Sequence, residues 1–131
     1  MTAVAESTAL ARTLAEMADA KRAGDIVGID LRELVSYTDF LLVCTARNER
    51  QAKAIVDEVR VRMKRELGVI PIHVEGDRES RWVILDYLDC VLHVLVPEAR
   101  DRYRLEHLWG EAPRLELNLP EENGEPAAAS A

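Results

Sequence analysis

The run FLLVCT, residues 40–45, constrains this chain more than any other feature, because it shows no polar alternation. A strand with one face in water alternates apolar and polar residues. An unbroken apolar run of this length suits a central strand covered on both faces. Such a strand needs a sheet around it and packing elements above and below. The chain has 131 residues, enough for one domain with a real core and too few for two ordinary ones. No apolar run approaches the roughly 20 residues that span a bilayer. The start, MTAVAESTALARTLAEM, lacks the basic and then greasy pattern of a secretory signal.

Around that strand the periodicities predict an order. Leu10, Leu14 and Met17 mark a helix over about residues 5–23, which Gly24 can end. DIVGIDL then alternates, with Val27, Ile29 and Leu31 on one apolar face. After FLLVCT, Asn48 caps the clearest helix, with Gln51 three residues later in a capping-box arrangement. Ala52, Ile55, Val56, Val59, Met63 and Leu67 form its apolar stripe, and Gly68 stops it. VIPIHV reads as a strand that Pro71 pushes toward an edge. WVILDY and CVLHVLV read as an antiparallel hairpin with a very short turn. Pro97 suits the first turn of a last helix that runs to about Trp109 and stops at Gly110. Residues 114–131 lack a sustained apolar period and read as a disordered tail. The expected fold is α+β, a mixed five-stranded sheet flanked by helices in the order α-β-β-α-β-β-β-α.

Charge and chemistry narrow the function. The net charge is −7, with five acids from Glu111 onward against Arg114 alone. A general phosphate-binding surface, and with it direct DNA binding, is therefore not expected. Cys44 and Cys90 sit in apolar runs and read as buried thiols, which fits a cytoplasmic location. Asp86 and Asp89 are the candidate carboxylate pair for a nucleotidyltransferase or other nucleotide-binding enzyme. Their D-x-x-D spacing crosses a turn, whereas carboxylates at i and i+2 would share a strand face. His73, His93 and His107 have no spacing suited to a metal, and neither cysteine lies in a CxxC, so no metal or cofactor is expected. The turn TARNERQ carries Arg47 and Arg50 but no glycine, which argues against a pyrophosphate cradle. Neither Ser36 nor Ser80 sits in a nucleophile-elbow pattern, and no enzymatic activity is expected. Trp82, Ile84 and Asp86 share one face of their strand, while Val83, Leu85 and Tyr87 take the other. An aromatic, an aliphatic and a charged residue together resemble a protein-binding hot spot. Pattern alone leaves open whether Trp82 belongs to such a spot or to a covered core.

Several of these segments carry a family resemblance. W-V-I-L-D-Y-L-D-C-V-L-H-V, followed by P-E-A-R-D-R-Y-R-L-E-H-L-W-G-E-A-P, resembles the signature of the ribosomal silencing factors, also called Iojap-like proteins. Y-T-D-F-L-L-V-C-T and N-E-R-Q-A-K-A-I-V-D-E-V match the first half of that pattern in the same order. The resemblance spans about residues 8–113, which makes residues 1–113 a single Iojap-like domain and 114–131 its acidic tail. Leu88 departs from the pattern, since the family commonly has glycine in this hairpin turn.

The resemblance implies a translational repressor. Members bind the large ribosomal subunit through its ribosomal protein number fourteen, block association with the small subunit and lower translation when nutrients are scarce. It also implies a nucleotidyltransferase-like fold without the catalytic set of those enzymes. Carried onto this chain, Trp82 with Ile84, Asp86 and Asp89 would face the ribosomal protein. Tyr103, Leu105, Leu108 and Trp109 would mainly pack. A homodimer through the same sheet face is a further reading.

Overall fold

Six strands form one mixed sheet in the computed structural model, which describes residues 3–119. In chain order the elements are α1 (Ala3–Ala20), β1 (Gly24–Asp30), β2 (Phe40–Thr45), α2 (Glu49–Arg62), β3 (His73–Glu75), β4 (Trp82–Asp86), β5 (Cys90–Leu95), α3 (Pro97–Tyr103), α4 (Leu105–Leu108) and β6 (Arg114–Leu115). Across the sheet the strands run β3-β4-β5-β2-β1-β6. β2 and β5 pair in parallel at the centre and every other pairing is antiparallel. The apolar run 40–45 is thus a central strand, buried from Phe40 to Cys44.

Period-two alternation divides the core. Phe40, Leu42 and Cys44, with Val83, Leu85, Tyr87, Cys90, Leu92 and Val94, face a layer made by α1 and α2. Leu41 and Val43, with Ile29, Leu31, Val91 and Leu95, face a second cluster closed by Val96, Ala99 and Ala112. The Asn48 side chain accepts from the Gln51 amide at 2.8 Å, and the Gln51 side chain accepts from the Arg47 amide at 2.6 Å. This reciprocal pair fixes the entry to α2. At its far end α2 widens into a π-helical turn, Met63–Leu67, and Gly68 closes it at φ 67°.

Five expectations need correction. The sheet has six strands, because Arg114–Leu115 pairs with β1. Residues 114–119 are accordingly part of the body, with Leu115, Leu117 and Leu119 packed against the first cluster. The rest of the expected tail, 120–131, lies outside the described residues. The last helix breaks at Arg104, whose φ of 46° ends α3 and starts α4. VIPIHV shrinks to a strand of three residues beginning at His73, after Pro71. The first helix ends before Gly24, with Arg22 taking the left-handed conformation at φ 62°.

Candidate functional site

β4 and β5 meet with Trp82 opposite Leu95, Ile84 opposite His93 and Asp86 opposite Val91. These residues share the second face, as the alternation of β4 predicts. His73 and Glu75 of the edge strand extend that face, lying opposite Asp86 and Ile84. The face is unequally covered. At the Trp82 end, Tyr103 of α3 stacks against the indole with ring centroids 4.4 Å apart. Leu105 and Trp109 close the neighbouring cluster, to which Trp82 and Ile84 add partly buried surface. Leu108, expected to pack, is exposed instead. Toward the turn end the cover thins. Ile84 and Asp86 are half-buried, and His73, Glu75, Leu88 and Asp89 are exposed.

Trp82 is therefore an oriented shelf at the border between covered and open sheet. Its Nε1–H donates to His93 Nδ1 at 2.9 Å, which places the remaining histidine proton on Nε2. Burial pushes His93 down to a pKa of about 4, so the ring is neutral and able to accept near pH 7. The sequence offered a lone histidine in an apolar strand; its role is to hold the indole. Only the cross-strand register, set by the hairpin turn, reveals that pairing. Gly76 crosses directly over the Trp82 carbonyl at φ 77°, where any Cβ would collide with the carbonyl oxygen.

The two aspartates do different work. Asp86 Oδ1 accepts from the Leu88 amide at 2.8 Å, an Asx turn that supports Leu88 at φ 72°. The Asp89 carbonyl accepts from the amides of Asp39 and Phe40, both at 3.1 Å, and its side chain is exposed. The side-chain turn oxygen is thus Asp86's, while Asp89 stitches the hairpin to the start of β2. The second cysteine-bearing strand adds no nucleophile: burial pushes both Cys44 and Cys90 upward, to about 12 for Cys44.

At the opposite end of the sheet, an open cleft of about 490 Å³ lies at the carboxyl ends of the parallel strands β2 and β5. Ligands of α/β sheets favour such a position. Here the lining bases Arg100 and Arg104 stand among Asp25, Asp101 and Glu106. Arg100 is also already engaged, donating to the Asp25 carbonyl at 2.6 Å, Thr45 Oγ1 at 2.8 Å and Glu106 at 2.8 Å. A nucleoside triphosphate would meet three carboxylates and no uncommitted central arginine.

Known proteins resemble this chain in sequence and in fold. The family described as "Ribosomal silencing factor during starvation" matches over residues 4–131. A ribosomal silencing factor of Bacillus subtilis is 37% identical over 101 residues, covering 77% of this chain and 85% of the relative. One from Chromobacterium violaceum is 40% identical over 86 residues, covering 66% and 70%. A crystal structure of a Chromobacterium violaceum protein superposes with a TM-score of 0.74 at 31% identity, covering 99% of this chain and all of that one.

Proposed function

Because this chain belongs to the ribosomal silencing factor family, we propose that it binds the large ribosomal subunit through ribosomal protein number fourteen. Bound there, it keeps the small subunit from joining and lowers translation when nutrients are scarce, as a non-enzymatic cytoplasmic repressor. The observation that carries this reading is the uncovered strip of the second face. From the fixed Trp82 the face continues through Ile84 and Asp86, which are half-buried, to Asp89, exposed in the turn beyond them. An aliphatic group beside an oriented aromatic, rimmed by carboxylates, suits a protein surface that carries lysine and arginine. The nucleotidyltransferase alternative loses support, since Asp86 is committed to the turn and the cleft is of mixed charge.

The test is a sedimentation profile of separated subunits with and without the purified protein. Saturating protein lowers the joined-particle peak, and unchanged joining would sink the reading. In parallel, Trp82→Ala and Asp86→Lys are expected to weaken large-subunit binding by about tenfold each. Thermal melts identify any variant that has lost its fold. A second copy of the chain is the competing occupant of this strip, and a concentration series of molecular mass, with and without large subunits, distinguishes the two.

A further inference from the structure

The uncovered strip does not end with β4. Backbone hydrogen bonds bring the β4–β5 turn beside the β1–β2 loop at one end of the sheet. Asp39 and Phe40 both donate to the Asp89 carbonyl at 3.1 Å, and Leu31 donates to the Asp39 carbonyl at 2.9 Å. Those two segments carry three large apolar side chains in water: Leu34 at 52% exposure, Tyr37 at 65% and Leu88 at 57%. Leu88 holds this exposed position at φ 72°, a conformation that glycine would adopt without strain. Neither burial nor backbone preference accounts for a leucine there. The same segments carry Glu33, Asp39 and Asp89, and among the described residues none of the three forms an ion pair. Among the described residues of these segments the base is Arg32, bound to Asp30 at 2.6 Å and near enough to Asp39 and Glu33 to feel their charge, so the acids outnumber it. Elsewhere some exposed acids are paired, as in Lys53–Asp57 at 3.1 Å and Arg62–Glu66 at 2.9 Å. Others, such as Glu49, Glu79 and Asp101, are not paired among the described residues, so it is the joining of unpaired acids to exposed apolar side chains that sets this end apart.

We propose that this end of the sheet, Leu34, Tyr37 and Leu88 rimmed by Glu33, Asp39 and Asp89, is a docking surface for a lysine- or arginine-bearing segment of a folded protein. The proposal rests on the ribosomal reading above and moves the anchor of that contact from Trp82 toward the hairpin turn. Two observations select the occupant. Unmatched carboxylates attract a basic chain and repel nucleic-acid phosphate, and the patch is continuous with the open strip at Ile84 and Asp86. Trp82, already shared between His93 and Tyr103, then supports the edge of the contact.

The experiment uses the full chain and purified large ribosomal subunits, with binding read by co-sedimentation at two salt concentrations. Leu88→Gly relieves the positive φ, so its melting temperature stays level or rises, yet its binding falls by about tenfold. Tyr37→Ala weakens binding to a similar degree, and the double variant Asp39→Lys with Asp89→Lys weakens it further and removes part of the salt dependence. If Leu88→Gly and Tyr37→Ala bind like wild type while Trp82→Ala does not, this proposal is overturned and the ribosomal reading stands. Tighter binding by the charge-reversed protein would place phosphate at this end and overturn it as well. Absence of binding by the wild-type protein removes both.

Discussion

Protonating His93 would take away the acceptor that its Nδ1 offers to the Trp82 indole, so this pair has a defined pH dependence. The ring is 9% exposed, and its cross-strand neighbours Ile84 and Val43 are uncharged. Burial alone lowers its pKa from 6.5 to about 4. Above pH 6.5 the histidine is neutral in folded and unfolded chains, and its contribution to stability is fully present. Between pH 6.5 and 4 only the unfolded chain takes up the proton, so stability falls as the pH falls. The loss approaches about 3 kcal/mol near pH 4. Urea unfolding at pH 7 and pH 4.5 is expected to show a larger drop for wild type than for His93→Gln, whose amide can accept without titrating. Equal drops would show that His93 does not titrate in this way. The residue types were legible in the sequence as an aromatic, an aliphatic and an acid on one strand face. The partner of the indole was not, because two residues eleven apart meet only through the register of the hairpin.

Elements whose boundaries depend on local chemistry were legible. Asn48 with Gln51, Gly68 at positive φ, and Pro97 at the start of α3 all act within a turn of the chain. The break between α3 and α4 was not, because Arg104 enters the left-handed region without being glycine or asparagine. Its backbone still donates to the Arg100 carbonyl at 3.0 Å, closing α3. Tertiary bonding then holds the kink: Arg100, nearly buried, reaches back to β1 and β2 and forward to Glu106 in α4. Burial acts to raise Glu106, but the bond to Arg100, a bond to its own backbone amide and the charges of Arg100 and Arg114 together outweigh it and hold the carboxyl below its usual range. Arg100→Met is expected to destabilise the protein by about 2–3 kcal/mol, since it strands Glu106 and unties α3. Arg100→Lys recovers little, because one ammonium cannot span the same acceptors. Denaturant midpoints measure the cost. Near-ultraviolet circular dichroism should also lose intensity from Trp82, whose stacking on Tyr103 depends on where α3 sits. A variant as stable as wild type would remove the clamp from the account.

At the scale of the whole molecule, the mixed sheet, the central apolar strand and the sidedness of β4 followed from periodicity. The extent of cover on the second face did not. It is decided by where short α3 and α4 end and by the loop that carries Val35, none of which has a strong sequence period. The sixth strand was missed for a related reason: RLELNL alternates over too few residues to stand out against the acidic, proline-containing sequence that follows. In the fold, that alternation turns Leu115, Leu117 and Leu119 toward the first core cluster. Gly28 on β1 leaves the space they use, since a Cβ there would lie 3.0 Å from Leu117 and 3.1 Å from Leu115. Arg12 of α1 fastens the strip by donating to the Glu116 carbonyl at 2.8 Å. Residues 114–119 therefore pack on the body, and stability is expected to depend on where the chain is cut. Three partly buried leucines contribute roughly 1 kcal/mol each. A chain ending at Pro113 should then unfold about 2–3 kcal/mol more easily than one ending at Leu119, with a lower urea midpoint. Gly28→Val in the longer chain should reproduce part of that loss by crowding the strip off β1. If the two truncated chains unfold at the same midpoint, residues 114–119 add nothing to the body, and the boundary returns to Pro113.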